Sequence, residues 1–291
     1  MCRLFGMAAG SRRARATFWL LEAPDSLAQQ SRHEPDGTGL GWYTEDGQPC
    51  VDKAPIAAYE DENFGRKARD ISSNSFVAHV RFASTGGLTP ENSHPFEQRG
   101  RLFAHNGVIE DLGALDAELG DYGSLVLGET DSERFFALVT KRIDEHDGDV
   151  GEGLVAAARW VARQLPVFAL NVILAAGPEL WALRYPGTHD LLMLERAAGG
   201  PSGDRHLEQA SRSARIRVRS GDLATAPAVV FATERMDEDA GWRNLEPGEL
   251  VHVDAALAVD SRIALPDPPA RRLTLAELDE RAAASQRAAP A

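Results

Sequence analysis

The feature that most constrains this chain is the placement of its helices. Two long stretches with helical spacing stand back to back near the middle, and strand-like segments lie in blocks on either side. Thr130-Asp131-Ser132-Glu133 has the form of a capping box. Phe135, Phe136, Leu138, Val139 and Ile143 follow at intervals that put them on one face of a helix over 131–144. A second helix is expected over 151–165, with Leu154, Val155, Ala158, Val161 and Leu165 turned inward. Strand patterns precede the pair at 3–9, 76–81 and 102–104, and follow it at 167–175, 179–185, 190–195, 215–219, 227–232 and 249–254. Strict β-α-β alternation would imply a parallel sheet. Blocks of this kind imply an α+β fold with antiparallel sheet.

Between these elements the sequence is less regular. Residues 35–43 read as a glycine-rich turn entering a strand, where glycine allows tight turning or close backbone approach. Residues 82–99, with Gly86-Gly87, Pro90 and Pro95, read as a loop, and 110–119 as a short helix. Residues 197–214 have no period and read as a mobile loop. An amphipathic helix is expected over 273–287, with a disordered end beyond it.

Composition enters mainly by exclusion. The chain has 291 residues and a net charge of −13. That length holds one large domain or two small ones, and an acidic body repels phosphate, so nucleic acid is not an expected partner. Two cysteines, Cys2 and Cys50, cannot make a disulfide scaffold. No apolar run approaches the roughly 18 residues needed to span a bilayer. The short apolar start comes before the basic residues Arg12, Arg13 and Arg15, the reverse of a signal peptide. A cytoplasmic enzyme without membrane contact is the expectation.

Several residues could carry chemistry, and each also has an ordinary reading. Cys2 could be a small buried hydrophobe. Removal of Met1 would instead leave a thiol beside its own α-amine, whose ordinary pKa of about 7.7–8.0 suits it to accept the thiol proton. Asn106-Gly107 could be a β-turn, or a side-chain amide and a backbone N–H forming an oxyanion hole. Arg81, ending an apolar strand, could make a salt bridge or grip a carboxylate with two parallel hydrogen bonds. Asp131 could serve the helix cap or receive an ammonium group. The histidines, including His79, His94 and His105, show no metal-ligand spacing, and no phosphate loop or dinucleotide fingerprint occurs. Neither metal nor cofactor is expected.

Together these residues supply what hydrolysis of an amino-acid side-chain amide requires, and glutamine fits them. Their order resembles the class II glutamine amidotransferases, whose nucleophile is an N-terminal cysteine. The resemblance rests on Met1-Cys2-Arg3-Leu4-Phe5-Gly6, Ala78-His79-Val80-Arg81-Phe82-Ala83-Ser84-Thr85-Gly86, Asn92-Ser93-His94-Pro95-Phe96, Ala104-His105-Asn106-Gly107-Val108-Ile109 and Gly128-Glu129-Thr130-Asp131-Ser132-Glu133. It implies a four-layer αββα sandwich of two antiparallel sheets, the N-terminal-nucleophile (Ntn) hydrolase fold, over residues 2–255, with a partly helical or disordered tail over 256–291.

The resemblance also implies roles. Cys2 would attack the amide, Asn106 and Gly107 would hold the oxyanion, and Arg81 and Asp131 would clamp the α-carboxylate and α-amine. Ser84 and Thr85 would lie in a loop closing over the substrate. The sequence departs from the family where Trp often follows the arginine and Thr-His precedes the glycine; here Phe82 and Ser84-Thr85 stand. The tail is too short for a synthase domain. The expectation is therefore a stand-alone glutaminase passing ammonia to a separate synthase. Alternatives are hydrolysis of another γ-glutamyl amide, as in ergothioneine biosynthesis, and non-catalytic amino-acid binding.

Overall fold

The computed structural model describes residues 2–82, 87–198, 207–210, 217–220 and 226–286. Two antiparallel sheets face one another. The first contains β1 (Arg3–Ala8), β2 (Gly37–Tyr43), β3 (Pro49–Ala54), β4 (Ser75–Arg81), β9 (Leu192–Arg196), β12 (Ala228–Ala232) and β13 (Arg243–Asn244). Its spatial order is β13-β9-β12-β1-β4-β2-β3, so β1 lies at the centre. The second contains β5 (Phe96–Gln98), β6 (Arg101–Ile109), β7 (Pro166–Ala176), β8 (Glu179–Leu183), β14 (Glu249–Val253) and β15 (Val259–Ile263), in the order β15-β14-β8-β7-β6-β5. The two residues of β16 (Arg271–Arg272) run parallel to the start of β7.

The layering follows from the two-residue period of the strands. In β1, Leu4 and Ala8 point between the sheets, where they meet Ala104, Ile173, Ala182 and Val251. Phe5 and Met7 point the other way, onto Phe18, Trp19, Leu27 and Phe64. Those residues belong to a π-helical turn over Phe18–Glu22, to α1 (Leu27–Gln30) and to α2 (Glu62–Asp70). On the second sheet Phe103, Val172, Leu174 and Leu183 turn outward. They pack under α3 (Leu112–Leu119), α4 (Asp131–Glu145) and α5 (Val150–Gln164). Each fully buried Leu or Phe in these layers contributes on the order of 1.5–3 kcal/mol. The result is the expected αββα sandwich.

The structure changes several local expectations. His105-Asn106-Gly107 does not turn; β6 runs through it, paired with β7 from Arg101↔Ala176 to Ile109↔Val167, with a register shift after Val108. A nine-residue ladder outweighs the local turn preference of Asn-Gly. The expected loop over 82–99 contains β5. Within the expected loop over 197–214, β10 (Leu207–Ala210) pairs with β11 (Arg217–Ser220), and residues 199–206 and 211–214 lie outside the described residues. The expected helix over 273–287 is helical only as α6 (Glu280–Gln286). Before it, Leu273 is tied to β7 through its N–H and the Val167 carbonyl. The second sheet continues past residue 255, because β15 pairs with β14 from Val253↔Val259 to Glu249↔Ile263.

Candidate active site

The sheet register itself brings the first group together. Cys2 stands immediately before β1, and β1 pairs with β4 so that Arg3 lies opposite Val80. The end of β4 therefore places Arg81 and Phe82 beside Cys2. The Cys2 thiol donates to the Phe82 carbonyl at 3.4 Å, and the Phe82 N–H donates back to Sγ at 3.2 Å. Burial pushes the Cys2 thiol up to about 11, against the pull of the Phe82 backbone contact. At neutral pH this sulfur is a protonated thiol, so its use as a nucleophile requires a base. Arg81 is buried and donates through Nη1 to the Gly87 carbonyl at 3.1 Å.

The second group comes from β6. Alternation along this strand puts Asn106 on the same face as Leu102 and Ala104, between the sheets and toward Cys2. Its Nδ2 donates to the Cys2 carbonyl at 2.9 Å. A side-chain amide has two N–H donors, and this contact uses one. Gly107 follows where no side chain fits: a Cβ there would stand 1.8 Å from the Ala169 carbonyl oxygen. β5 pairs with β6 only as far as Phe103, so among the described residues this part of β6 has no strand neighbour on its cavity side.

Helix α4 supplies the third group from its N-terminus. Thr130 caps it by accepting the Glu133 N–H at 3.2 Å. The reciprocal half of the expected capping box is redirected, and Glu133 accepts instead from the Gly128 N–H at 2.6 Å. Asp131 fastens helix to sheet: Oδ2 accepts the Ile109 N–H at 2.9 Å and Oδ1 the Ser132 N–H at 2.9 Å. Its capping role and its place at the site therefore coexist.

These side chains line one small cavity. Cys2, Arg81, Asn106, Gly107 and Asp131 all contribute to it. Ser84 and Thr85 lie outside the described residues.

The cavity also collects residues that were not expected to serve the site. His79, His94 and His105 line it with Asn92, Thr130 and Ser132. The rings of His79 and His94 are 4.3 Å apart. Burial drives the His79 pKa from 6.5 down to about 3 and that of His94 well below its usual value, so both rings are neutral. His105 contacts Ser132 Oγ through Nδ1 at 2.9 Å and the Ala169 carbonyl through Nε2 at 3.2 Å. The carbonyl can only accept, so Nε2 carries the proton and Nδ1 receives the Ser132 hydroxyl. Among the described residues no cluster of three His, Cys, Asp or Glu could hold a metal ion.

Two further features hold the walls in place. Asn92 Oδ1 accepts the Glu129 N–H at 2.8 Å, while Glu129 Oε2 accepts the Gly87 N–H at 3.3 Å. This pair ties the segment after β4 to the segment before α4. Gly39 of β2 lets the chain at His94 pass against the first sheet, since a Cβ at Gly39 would stand 1.8 Å from the His94 carbonyl oxygen. Asn92 and His94 belong to a segment that carried the resemblance, so a signal for them existed. Gln286 of α6, which also lines the cavity, had none. No helix among the described residues is long and apolar enough to cross a membrane.

Comparison with known proteins bears on the family and the fold. A family model described as glutamine amidotransferases class-II matches residues 1–268. An uncharacterized protein of Methanocaldococcus jannaschii, MJ1515, is 30% identical over 237 residues, covering 78% of this chain and 63% of that protein. This chain thus spans less than two thirds of that relative's length. A glutamine aminotransferase class-II domain protein from Silicibacter pomeroyi superposes with a TM-score of 0.58 at 20% identity, covering 90% of this chain and 98% of that one. Glutamine phosphoribosylpyrophosphate amidotransferase from Bacillus subtilis superposes with a TM-score of 0.63 at 17% identity, covering 92% of this chain and half of that one. The two superpositions carry the fold, and the family match spans every cavity residue described here except Gln286: this chain belongs to the class II glutamine amidotransferases.

Proposed function

We propose that the protein hydrolyses the side-chain amide of glutamine through a thioester on Cys2, releasing ammonia for a separate acceptor enzyme. The observation that carries this reading is the convergence of Cys2, Arg81, Asn106, Gly107 and Asp131 on one cavity. Loss of Met1 gives Cys2 a free α-amine. That amine takes the thiol proton as sulfur attacks the amide carbon, and the carbonyl oxygen becomes an oxyanion. The second Asn106 N–H and the Gly107 N–H receive its charge. The C–N bond then breaks, the amine hands its proton to the departing nitrogen, and ammonia leaves. Water, deprotonated by the same amine, hydrolyses the thioester to glutamate and restores the thiol.

A protonated thiol suits this sequence, because the proton moves as the new bond forms and no standing thiolate is needed. Arg81 pairs with the substrate α-carboxylate and Asp131 with its α-amine, which together orient the amide toward sulfur. The test compares ammonia released from glutamine with glutamate released from a panel of larger γ-glutamyl amides. Preference for glutamine supports the reading. Turnover of only the larger amides overturns it in favour of a γ-glutamyl amide hydrolase, and turnover of none in favour of a binding protein.

A further inference from the structure

One wall of the cavity comes from far along the chain. Gln286, the last residue of α6, lines the same space as Cys2, Arg81 and Asp131. It is 3% exposed, and Cys2 is 8% exposed. Its Oε1 accepts from Nε2 of His189 at 2.8 Å. That histidine sits in a fixed loop, since its carbonyl accepts from Arg184 Nε at 2.7 Å. At the other end of the helix, Arg281 is close enough to Arg81 for its charge to add to the effect of burial in lowering the Arg81 pKa. Of this helix, Gln286 is the residue that reaches the cavity.

The attachment of this wall is slight. A seven-residue helix is too short to persist in water by its own hydrogen bonds, so packing must hold it. That packing is a small apolar cluster in which Leu273, Leu278, Ala282 and Ala283 rest on Val108 and Phe168. The strand-borne walls have no comparable weakness, because β1, β4 and β6 are interior members of their sheets. A short terminal helix docked by packing opens before strands inside a sheet do.

We propose that Gln286, latched to His189, closes the thiol cavity and limits the size of the amide group that reaches Cys2, so that α6 sets the leaving-group selectivity of the site. The selectivity part rests on the glutaminase reading. The closure part concerns the thiol alone, and the test separates them.

The full-length protein and its Gln286→Ala variant are alkylated with iodoacetamide, which is small, and with N-phenylmaleimide, which is bulky. Peptide mass spectrometry reads Cys2, with Cys50 as an internal reference. Losing the latch hydrogen bond should raise N-phenylmaleimide labelling of Cys2 relative to Cys50 about tenfold. The change with iodoacetamide should be smaller. A chain ending at Asp279 marks the fully open limit. If that truncation unfolds, both cysteines label faster, and the point substitution alone decides. An unchanged Cys2 to Cys50 ratio in Gln286→Ala overturns the closure. For selectivity, hydrolysis of γ-glutamyl 4-nitroanilide relative to glutamine should rise in Gln286→Ala, and a ratio equal to wild type overturns that role. If wild type hydrolyses neither compound, the glutaminase reading and the selectivity fall together while the labelling result stands.

Discussion

The two sides of the cavity are built by different means. On one side, Cys2, Arg81 and Asn106 sit at or beside sheet interiors, each fixed by a strand register that also buries the core. On the other, Gln286 rides on a seven-residue helix that docks through Ala282 and Ala283 and bonds His189. The first side has its geometry over-determined: moving Asn106 would mean moving a strand paired along nine residues. The second can change without disturbing either sheet. A site made this way keeps its strand-borne groups rigid and leaves adjustment to a single wall.

Substitutions should separate the two sides, with the largest losses on the rigid one. Cys2→Ser should remove all measurable ammonia release, a loss of about 10³-fold or more, because the nucleophile is the step itself. Asn106→Ala should lower kcat by about 10²–10³-fold with the protein still folded, as expected for loss of one oxyanion donor. Steady-state ammonia assays check both, and a kcat within a few-fold of wild type for Asn106→Ala would remove it from the oxyanion role. Arg81→Ala should raise KM for glutamine strongly, by the equivalent of about 2–5 kcal/mol, since it strips a buried partner from a charge. An unchanged KM would refute the carboxylate clamp. Effects at Gln286 should be the smallest and should fall on leaving-group selectivity rather than on glutamine itself.

The rigid side also predicts a pH effect on stability. Burial lowers the pKa of His79 from 6.5 to about 3, and that of His94 and His105 in the same direction. As pH falls below about 6.5 the unfolded chain binds protons that the folded chain refuses, so stability declines toward acid. Glu34 opposes this, because burial raises its pKa and its contribution grows as pH falls. Burial lowers the His189 pKa as well, and four histidines against one carboxyl should leave a net loss between pH 7 and pH 5. The midpoint of urea unfolding should therefore drop over that interval, and a midpoint that rises would contradict the burial of the histidine rings.

What the sequence disclosed follows the same division. Elements whose side chains alternate or repeat against a core were legible: the helices at 131 and 151 and the strands at 3, 76 and 167 all occur near their expected bounds. Elements with little buried surface were not. In α2 only Phe64 and Ala68 are buried, and β15 shows four exposed residues of five, so neither carries an apolar period. Asn106-Gly107 misled locally because turn preference is a property of two residues and the ladder that overrides it is a property of nine. The cavity residues on strand ends were legible through their chemistry and their order. Gln286 was not, because a lone glutamine in an alanine-rich tail reaches the site only by tertiary packing.

The central claim is that Cys2 is the nucleophile of a glutamine site. It is tested most directly by treating the protein with a glutamine analogue that carries an electrophilic side chain and reading the intact mass and the labelled peptide. The expected product is a chain lacking Met1, with one equivalent of label on Cys2, none on Cys50, and protection by glutamine. Label on Cys50 alone, or labelling that glutamine does not slow, would contradict it.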